Sequence, residues 1–331
     1  MGWNDTCKLV FIQIITFVVV TVNIFSQEKG AAPETKLPPA YMLKANFKLQ
    51  VYYNYVLSDT TIFKRVYADS SQREFKRIVN YYFTIMQPDA PKDGFSKVEV
   101  SIDSINYKFF DGNKVYEFSD IETANLSVFK FDDFQTYSVP MSMQYDIIYS
   151  PYGEVAKIEG ERLEEKRNYV EQLKTSIPDS IWYYNWKDGL SDARLKQIGD
   201  VIKIRYPINP VYRDSIWYSP IELQIDGLNI VDTVELKATG FMNNKYSIVG
   251  RFVKPNPIWK NTKFYDIKSL SLPYKIINSK GNIKQTLSAT GVVHEFEINL
   301  NLTLEVGNPF VFTENIEKNL HWEMVKSFRF K

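Results

Sequence analysis

The chain has 331 residues, with 40 basic and 39 acidic side chains and a formal net charge of +1. That balance supplies no field to recruit nucleic acid or an anionic membrane, and no like-charge block is long enough to make a tail. Cys7 is the only cysteine, which excludes a disulfide, a thiol nucleophile or a thiolate metal ligand everywhere beyond it. A chain of about 300 residues still buries roughly three quarters of its unfolded surface, so a core alone can hold it. The 22 Tyr, 22 Phe and 6 Trp against 14 Gly point to sheet, because aromatic and β-branched side chains suit a pleated, half-buried surface.

Residues 9–25 form an apolar run interrupted only by Gln13, Thr16, Thr21 and Asn23, with Lys8 before it and Phe25-Ser26-Gln27 after it. Charge, apolar stretch and small residue in that order predict a secretory signal peptide over residues 1–26, cleaved after Ser26, and so a periplasmic or extracellular protein. The alternative is an uncleaved anchor, since the run is nearly of membrane-spanning length. That segment is the only membrane contact predicted. Residues 27–40 read as a linker, with Ala31-Ala32-Pro33 and Pro38-Pro39. A large exported chain without disulfides fits a bacterial envelope protein.

The region 41–160 alternates. Leu43, Ala45, Phe47, Leu49 and Val51 share one face and Lys44, Asn46, Lys48 and Gln50 the other, which predicts a strand. A second strand near 62–67 leads into the turn cluster Ala68-Asp69-Ser70-Ser71. A third places Phe75, Arg77, Val79, Tyr81, Phe83 and Ile85 on one side. Strands over 105–110 and 114–118 flank Asp111-Gly112-Asn113, a hairpin signal in which Gly accepts positive φ. Strands over 145–149 and 155–158 flank Ser150-Pro151-Tyr152-Gly153.

Residues 161–200 change character. A charged stretch over 161–177, stopped by Pro178, and a second over 191–198, capped by Ser191 and ended by Gly199, predict a two-helix insertion. Strands resume at 201–206 and continue through 331. The clearest is 292–306, with His294, Phe296, Ile298, Leu300, Leu302 and Leu304 facing one way, a strand of about 40 Å at roughly 3.3 Å per residue. The expected fold is mainly β: long curved antiparallel sheets, half-barrel or sandwich-like, with a small two-helix insertion between an N-terminal β region (41–160) and a C-terminal one (201–331).

Catalytic and cofactor motifs are missing. Gly-x-Ser-x-Gly, Gly-x-x-x-x-Gly-Lys, Gly-x-Gly-x-x-Gly and His-Glu-x-x-His do not occur, and with only His294 and His321 a multi-histidine zinc site is impossible. No cofactor or metal is implied. Asp132-Asp133 and Glu164-Glu165 are neighbours whose side chains diverge, which predicts solvated carboxylates. The aromatic run 181–186 is the richest segment. Trp182, Tyr183, Tyr184 and Trp186, joined by Trp217, are the candidate ligand-binding residues, as a stacking platform for a sugar or the wall of an apolar pocket. The favoured reading of the same rings is that they dock the helical insertion onto the sheet, burying large side chains. Asp179-Ser180-Ile181-Trp182-Tyr183 recurs as Asp214-Ser215-Ile216-Trp217-Tyr218, without a third copy that would mark a repeat.

Ser150-Pro151-Tyr152-Gly153-Glu154-Val155, followed by a helical insertion and then Pro210-Val211 and Asp214-Ser215-Ile216-Trp217, resembles a family of exported β-rich proteins of unknown function from Bacteroidota-type bacteria. Arg213 stands where members carry Gly. The resemblance implies an exported location and a β-rich architecture, and transfers no functional residue. The expected function is non-catalytic binding, on a curved sheet, of an apolar or sugar-like ligand such as a lipid or glycan, or of an envelope protein. The alternatives are a glycan-directed hydrolase with an unrecognised carboxylate pair, and an outer-membrane β-barrel.

Overall fold

Alternation of buried and exposed side chains along long extended segments organises this chain. A computed structural model describes residues 40–44, 46–119, 131–176, 181–225, 228–253, 259–263, 271–307 and 311–328. The chain divides into two compact units, 1–39 and 40–331. The expected signal segment and all of the expected linker except Ala40 lie outside the described residues.

Among the described residues, the second unit holds thirteen strands in one antiparallel sheet. A first meander comprises β1 (Tyr52–Tyr67), β2 (Gln72–Met86), β3 (Ser96–Asp111), β5 (Gln144–Tyr149) and β6 (Val155–Glu159), with β4 (Lys114–Ser119) paired to β3. A second comprises β7 (Ile216–Ile225), β8 (Leu228–Met242), β9 (Lys245–Phe252), β11 (Ser271–Ser288), β12 (Val293–Val306) and β13 (Val311–Val325), with β10 (Trp259–Lys263) on β11. β1 pairs with β13 in the middle, so strands before and after the helices share one sheet. The edge strands β6 and β7 are consecutive in sequence yet lie at opposite ends of the strand order. Register shifts in β3, β6, β8 and β11 mark irregularities of the kind that increase local twist and bend a sheet.

Four helices are described: α1 (Asp132–Ser138), α2 (Glu161–Ser176), α3 (Ile181–Gly189) and α4 (Asp192–Gly199). The insertion therefore carries three helices rather than two. The additional one, α3, is the aromatic run itself, whose modest intrinsic propensity is outweighed by packing on α1 and α2. Ser191 caps α4 as expected, accepting from the Arg194 amide at 3.2 Å. Gly199 serves differently from expectation: a Cβ there would lie 2.5 Å from the Tyr145 hydroxyl, so the glycine permits close approach rather than a left-handed stop.

α4 packs against both edge strands, and the chain that follows it lies on the buried face of the sheet. The Trp322 indole donates to the Ile198 carbonyl (3.1 Å), Tyr145 to Leu195 (2.8 Å), and the Gln285 amide to Ile202 (3.0 Å). Leu195, Ile198, Val201, Ile202 and Ile204 are all buried. The expected strand at 201–206 is absent for that reason. Four of its residues are buried on both sides of the backbone, and Lys203 takes φ +55°, which no strand accommodates. The expected strand at 43–51 is also absent. Leu43 and Phe47 are buried, Leu49 and Val51 are exposed, and Gln50 at φ +55° turns the chain into β1.

The buried face also carries charge. The Lys318 ammonium is ion-paired with Asp59 and donates to Thr61 Oγ1 at 2.8 Å, while Gln197 Nε2 donates to Asp59 Oδ2 at 3.3 Å. Gln197 Oε1 accepts from the Gln224 amide at 2.8 Å, the Gln224 side chain donates to Asp188, and Asp188 takes Arg194 at 3.0 Å. Arg194 and Arg77 both lie over the Tyr137 ring, at 4.6 and 4.1 Å. Arg77 reaches Asp133 at 2.8 Å and Tyr107 donates to the same carboxylate at 2.5 Å. Asp133, expected in solvent, is instead the counter-ion that lets a buried arginine exist.

The opposite face is polar along β12 and β13, where Asn299 bonds Glu297 at 2.9 Å, Asn319 bonds Asn299 at 2.6 Å, and His321 meets Glu295 at 3.2 Å. Along β7, β8 and β9 it also exposes Ile216, Tyr218, Val231 and Val249. Among the described strands β6 and β7 are not paired with each other.

Candidate functional site

One described cavity lies at the end of the sheet where β1 begins and β2 and β5 finish. It is a cleft of about 330 Å3, at the lower end of the roughly 300–1,000 Å3 range of ligand pockets. Four pieces of chain make it: residues 42–47, the turns 91–96 and 150–153, and the stretch 202–208. Leu43, Phe47, Ile202 and Tyr206 are its buried apolar wall, and Met42, Tyr152 and Ile208 are its exposed rim.

Local chemistry explains each piece. Tyr41 exchanges backbone hydrogen bonds with Val211 at 2.7 and 2.8 Å, and the Asn46 amide donates to Gly291 at 3.2 Å, so the segment before β1 is clipped across the opening. In the 150–153 turn, Ser150 Oγ accepts from the Tyr152 and Glu154 amides, both at 3.3 Å. Gly153 takes φ +81°, a conformation that favours glycine. Gly94, at φ +83°, faces this turn so closely that a Cβ would lie 2.8 Å from Pro151 Cγ. The two turns meet because one of them has no side chain.

The cleft's electrostatics suit binding more than proton transfer. Burial pushes the Tyr149 and Tyr206 phenols well up, the Asp200 carboxylate adding to the shift at Tyr149, and both hydroxyls are engaged, with Asp200 (3.1 Å) and Gln285 (2.9 Å). Among the described residues lining the cleft there is no carboxylate, histidine or thiol. Lys44 and Asn46 are its exposed polar members, and Arg205 borders it, over the Tyr152 ring at 5.5 Å.

The aromatic candidates lie elsewhere. Trp182, Tyr183, Tyr184 and Trp186 are all on α3, on different sides of it. Trp182 is 49% exposed. Tyr183 is buried, donating to Glu171 at 3.0 Å and meeting Tyr184 edge-on. Trp186 donates to Gln135 of α1 at 2.9 Å. Trp217 belongs to β7 and donates to the Arg205 carbonyl at 3.0 Å. Packing of the insertion accounts for Tyr183, Trp186 and Trp217. The five-residue duplication is not structural, since Ile181 starts a helix and Ile216 starts a strand.

Neither histidine stands in the cleft. His294 sits where the pairing of β12 with β11 shifts between Leu287↔Val293 and Thr286↔Glu295, so it falls out of the buried row that Phe296 to Leu304 maintain. Burial and nearby Lys245 lower its pKa. Glu164, from the second acidic pair, binds Arg167 at 3.0 Å. The cleft residues missed in the sequence had one legible signal, the Ser-Pro-Tyr-Gly turn; its meeting with 42–47 and 202–208 is a long-range event.

No protein-family model and no curated protein matches the chain. Among solved structures it is similar to lipovitellin, in a study of lipid–protein interactions, with a TM-score of 0.47 and 10% identity over 86% of this chain and 26% of that one. It also aligns with OpdQ of Pseudomonas aeruginosa (TM-score 0.19, 6% identity, 82% of this chain and 61% of that one). A third is an outer-membrane channel from Pseudomonas putida F1 (TM-score 0.18, 10% identity, 84% and 97%). The chain spans about a quarter of the lipovitellin chain. At these scores the likenesses carry no argument about what this chain does.

Proposed function

We propose that this chain is an exported envelope protein that binds an apolar ligand, without catalysing a reaction, in the cleft bounded by residues 42–47, 150–153 and 202–208. The observation that carries the reading is the cleft itself: an apolar wall of Leu43, Phe47, Ile202 and Tyr206 open to solvent through a rim of Met42, Tyr152 and Ile208. The buried face of the sheet is covered by α4 and the stretch that follows it. Export is supported by the apolar run 9–25 and its flanks. The ligand is held by contact area, about 0.8 kcal/mol per buried methylene, with Lys44 available to a polar head.

The test is titration of purified residues 27–331 with a fluorescent naphthylamine probe, followed by displacement with single-chain fatty acids. Saturable binding that Ile208→Asp weakens about tenfold is the expected result. Equal binding by Ile208→Asp and Met42→Asp at unchanged folding would remove the cleft from consideration. A second reading, sugar stacking, is favoured by the half-exposed indole of Trp182. It predicts quenching of that indole by a glycan and its loss in Trp182→Ala.

A further inference from the structure

At the cleft end of the sheet the described chain exposes large apolar groups from several neighbouring segments. Met42, Leu49 and Tyr52 come from the approach to β1, and Phe95 and Tyr152 from the two turns that meet at Gly94. Ile208 and Tyr212 follow the buried stretch after α4. Phe241 and Met242 cap the β8–β9 hairpin, Met242 at 75% exposure. Strand directions fix their common end: Tyr52 opposes Met86, and Met242 opposes Lys245, which opposes Ser288 near the β11–β12 turn.

Such a patch on a water-soluble surface marks an interaction site. Its composition, aromatic and aliphatic tips interleaved with exposed Lys44, Lys48 and Lys92, is that of the bilayer interface, where amphipathic rings sit at headgroup level and lysines reach phosphates. The rim is held in place by the fold, with Tyr41 clipped to Val211 beside it.

We infer that the apolar rim docks on the surface of a lipid bilayer, seating the mouth of the cleft at the lipid headgroups so that an acyl chain passes between membrane and cleft. Docking rests on the rim alone; the passage of the acyl chain rests on the proposed function.

The experiment is flotation of residues 27–331, after a cooperative thermal melt shows the fragment folded, with vesicles of phosphatidylcholine and phosphatidylglycerol. Co-flotation is expected, with a loss of at least about tenfold in the double variant Phe241→Asp/Met242→Asp and no change in Val115→Asp near the opposite end. Residues 27–331 contain no cysteine, so Met242→Cys carrying an environment-sensitive dye reports insertion even if the double aspartate variant folds poorly; a blue shift on vesicles is expected. Absence of flotation with no dye shift overturns the inference. So does a concentration-dependent dimer that buries the dye without vesicles, since the rim would then meet a second copy. The Phe241/Met242 hairpin does not line the cleft. Probe binding with no vesicle binding sinks docking alone, and vesicle binding with no probe binding sinks the cleft alone.

Discussion

Replacing Lys318 by Met should destabilise the protein far more than replacing Lys318 and Asp59 together. The Lys318 side chain is fully buried and that of Asp59 is 2% exposed. They lie 259 residues apart in sequence but one diagonal step apart across the β1–β13 pair, where Lys318 opposes Thr61 and Leu320 opposes Asp59. Lys318→Met keeps the volume and removes the charge. It leaves the Asp59 carboxylate with only the Gln197 amide and the Thr61 hydroxyl, in surroundings where an uncompensated charge costs about 3–5 kcal/mol. In Asp59→Leu/Lys318→Met no charge remains. The cost falls to the Gln197 amide that loses its acceptor, roughly 1–2 kcal/mol. The expected coupling between the sites is therefore about 2–4 kcal/mol and opposite in sign to the single losses. Urea unfolding of the wild type, both single variants and the double at constant m-value measures it. A cost under about 1 kcal/mol for Lys318→Met, or a double variant as unstable as the sum of the singles, would refute the reasoning that desolvation dominates this pair.

Gly189→Ala should open the contact between α1 and α3, because its Cβ would lie 2.1 Å from Val139 Cγ1 and 2.4 Å from the Thr136 carbonyl oxygen. A loss of about 1–3 kcal/mol is expected, read from the melting temperature. Trp322→Ala removes a fully buried indole and its bond to Ile198, and should cost about 3–5 kcal/mol in the same assay. Lys203 gives a pH dependence. Burial pulls its amine from 10.5 down to about 7, while its hydrogen bonds to the Lys196 and Gln197 carbonyls and the Trp322 ring favour the charged form. Between those values the unfolded chain holds a proton that the folded chain has released, so stability rises with pH, by about 1–2 kcal/mol from pH 7 to 9. Above about pH 10 the trend reverses, as unfolded tyrosines ionise while burial holds Tyr55, Tyr81 and Tyr206 protonated. Denaturation at a series of pH values checks both limbs, and Lys203→Met should flatten the first.

Long strands with one wet face were readable from their period alone. Phe75 to Ile85 and Phe296 to Leu304 occupy the faces their alternation assigns, with Arg77 correctly on the buried side. Two turns with glycine at positive φ, at Gly112 and Gly153, fall where the sequence places hairpins. What failed shares one cause. Residues 43–51 and 201–206 carry the composition of strands, yet they meet the sheet through buried side chains and isolated contacts rather than along a ladder. Local pattern reports what a segment buries and not what it pairs with. In the aromatic run, Tyr183 and Trp186 make hydrogen bonds between helices, as docking of the insertion requires. The cleft was illegible because its walls are brought together from four distant stretches.

The pairing of β1 with β13 sets an order on how this sheet is completed. Each meander grows by neighbouring hairpins, a local process, but the strand that covers β1 is the last one made. Until residues 311–325 emerge, β1 presents an unpaired sixteen-residue edge, apolar on one face and a ready template for other chains. Synthesis of such a chain places its greatest hazard of aggregation before β13 arrives, and loss of β13 alone would split the sheet at its centre rather than trim its margin.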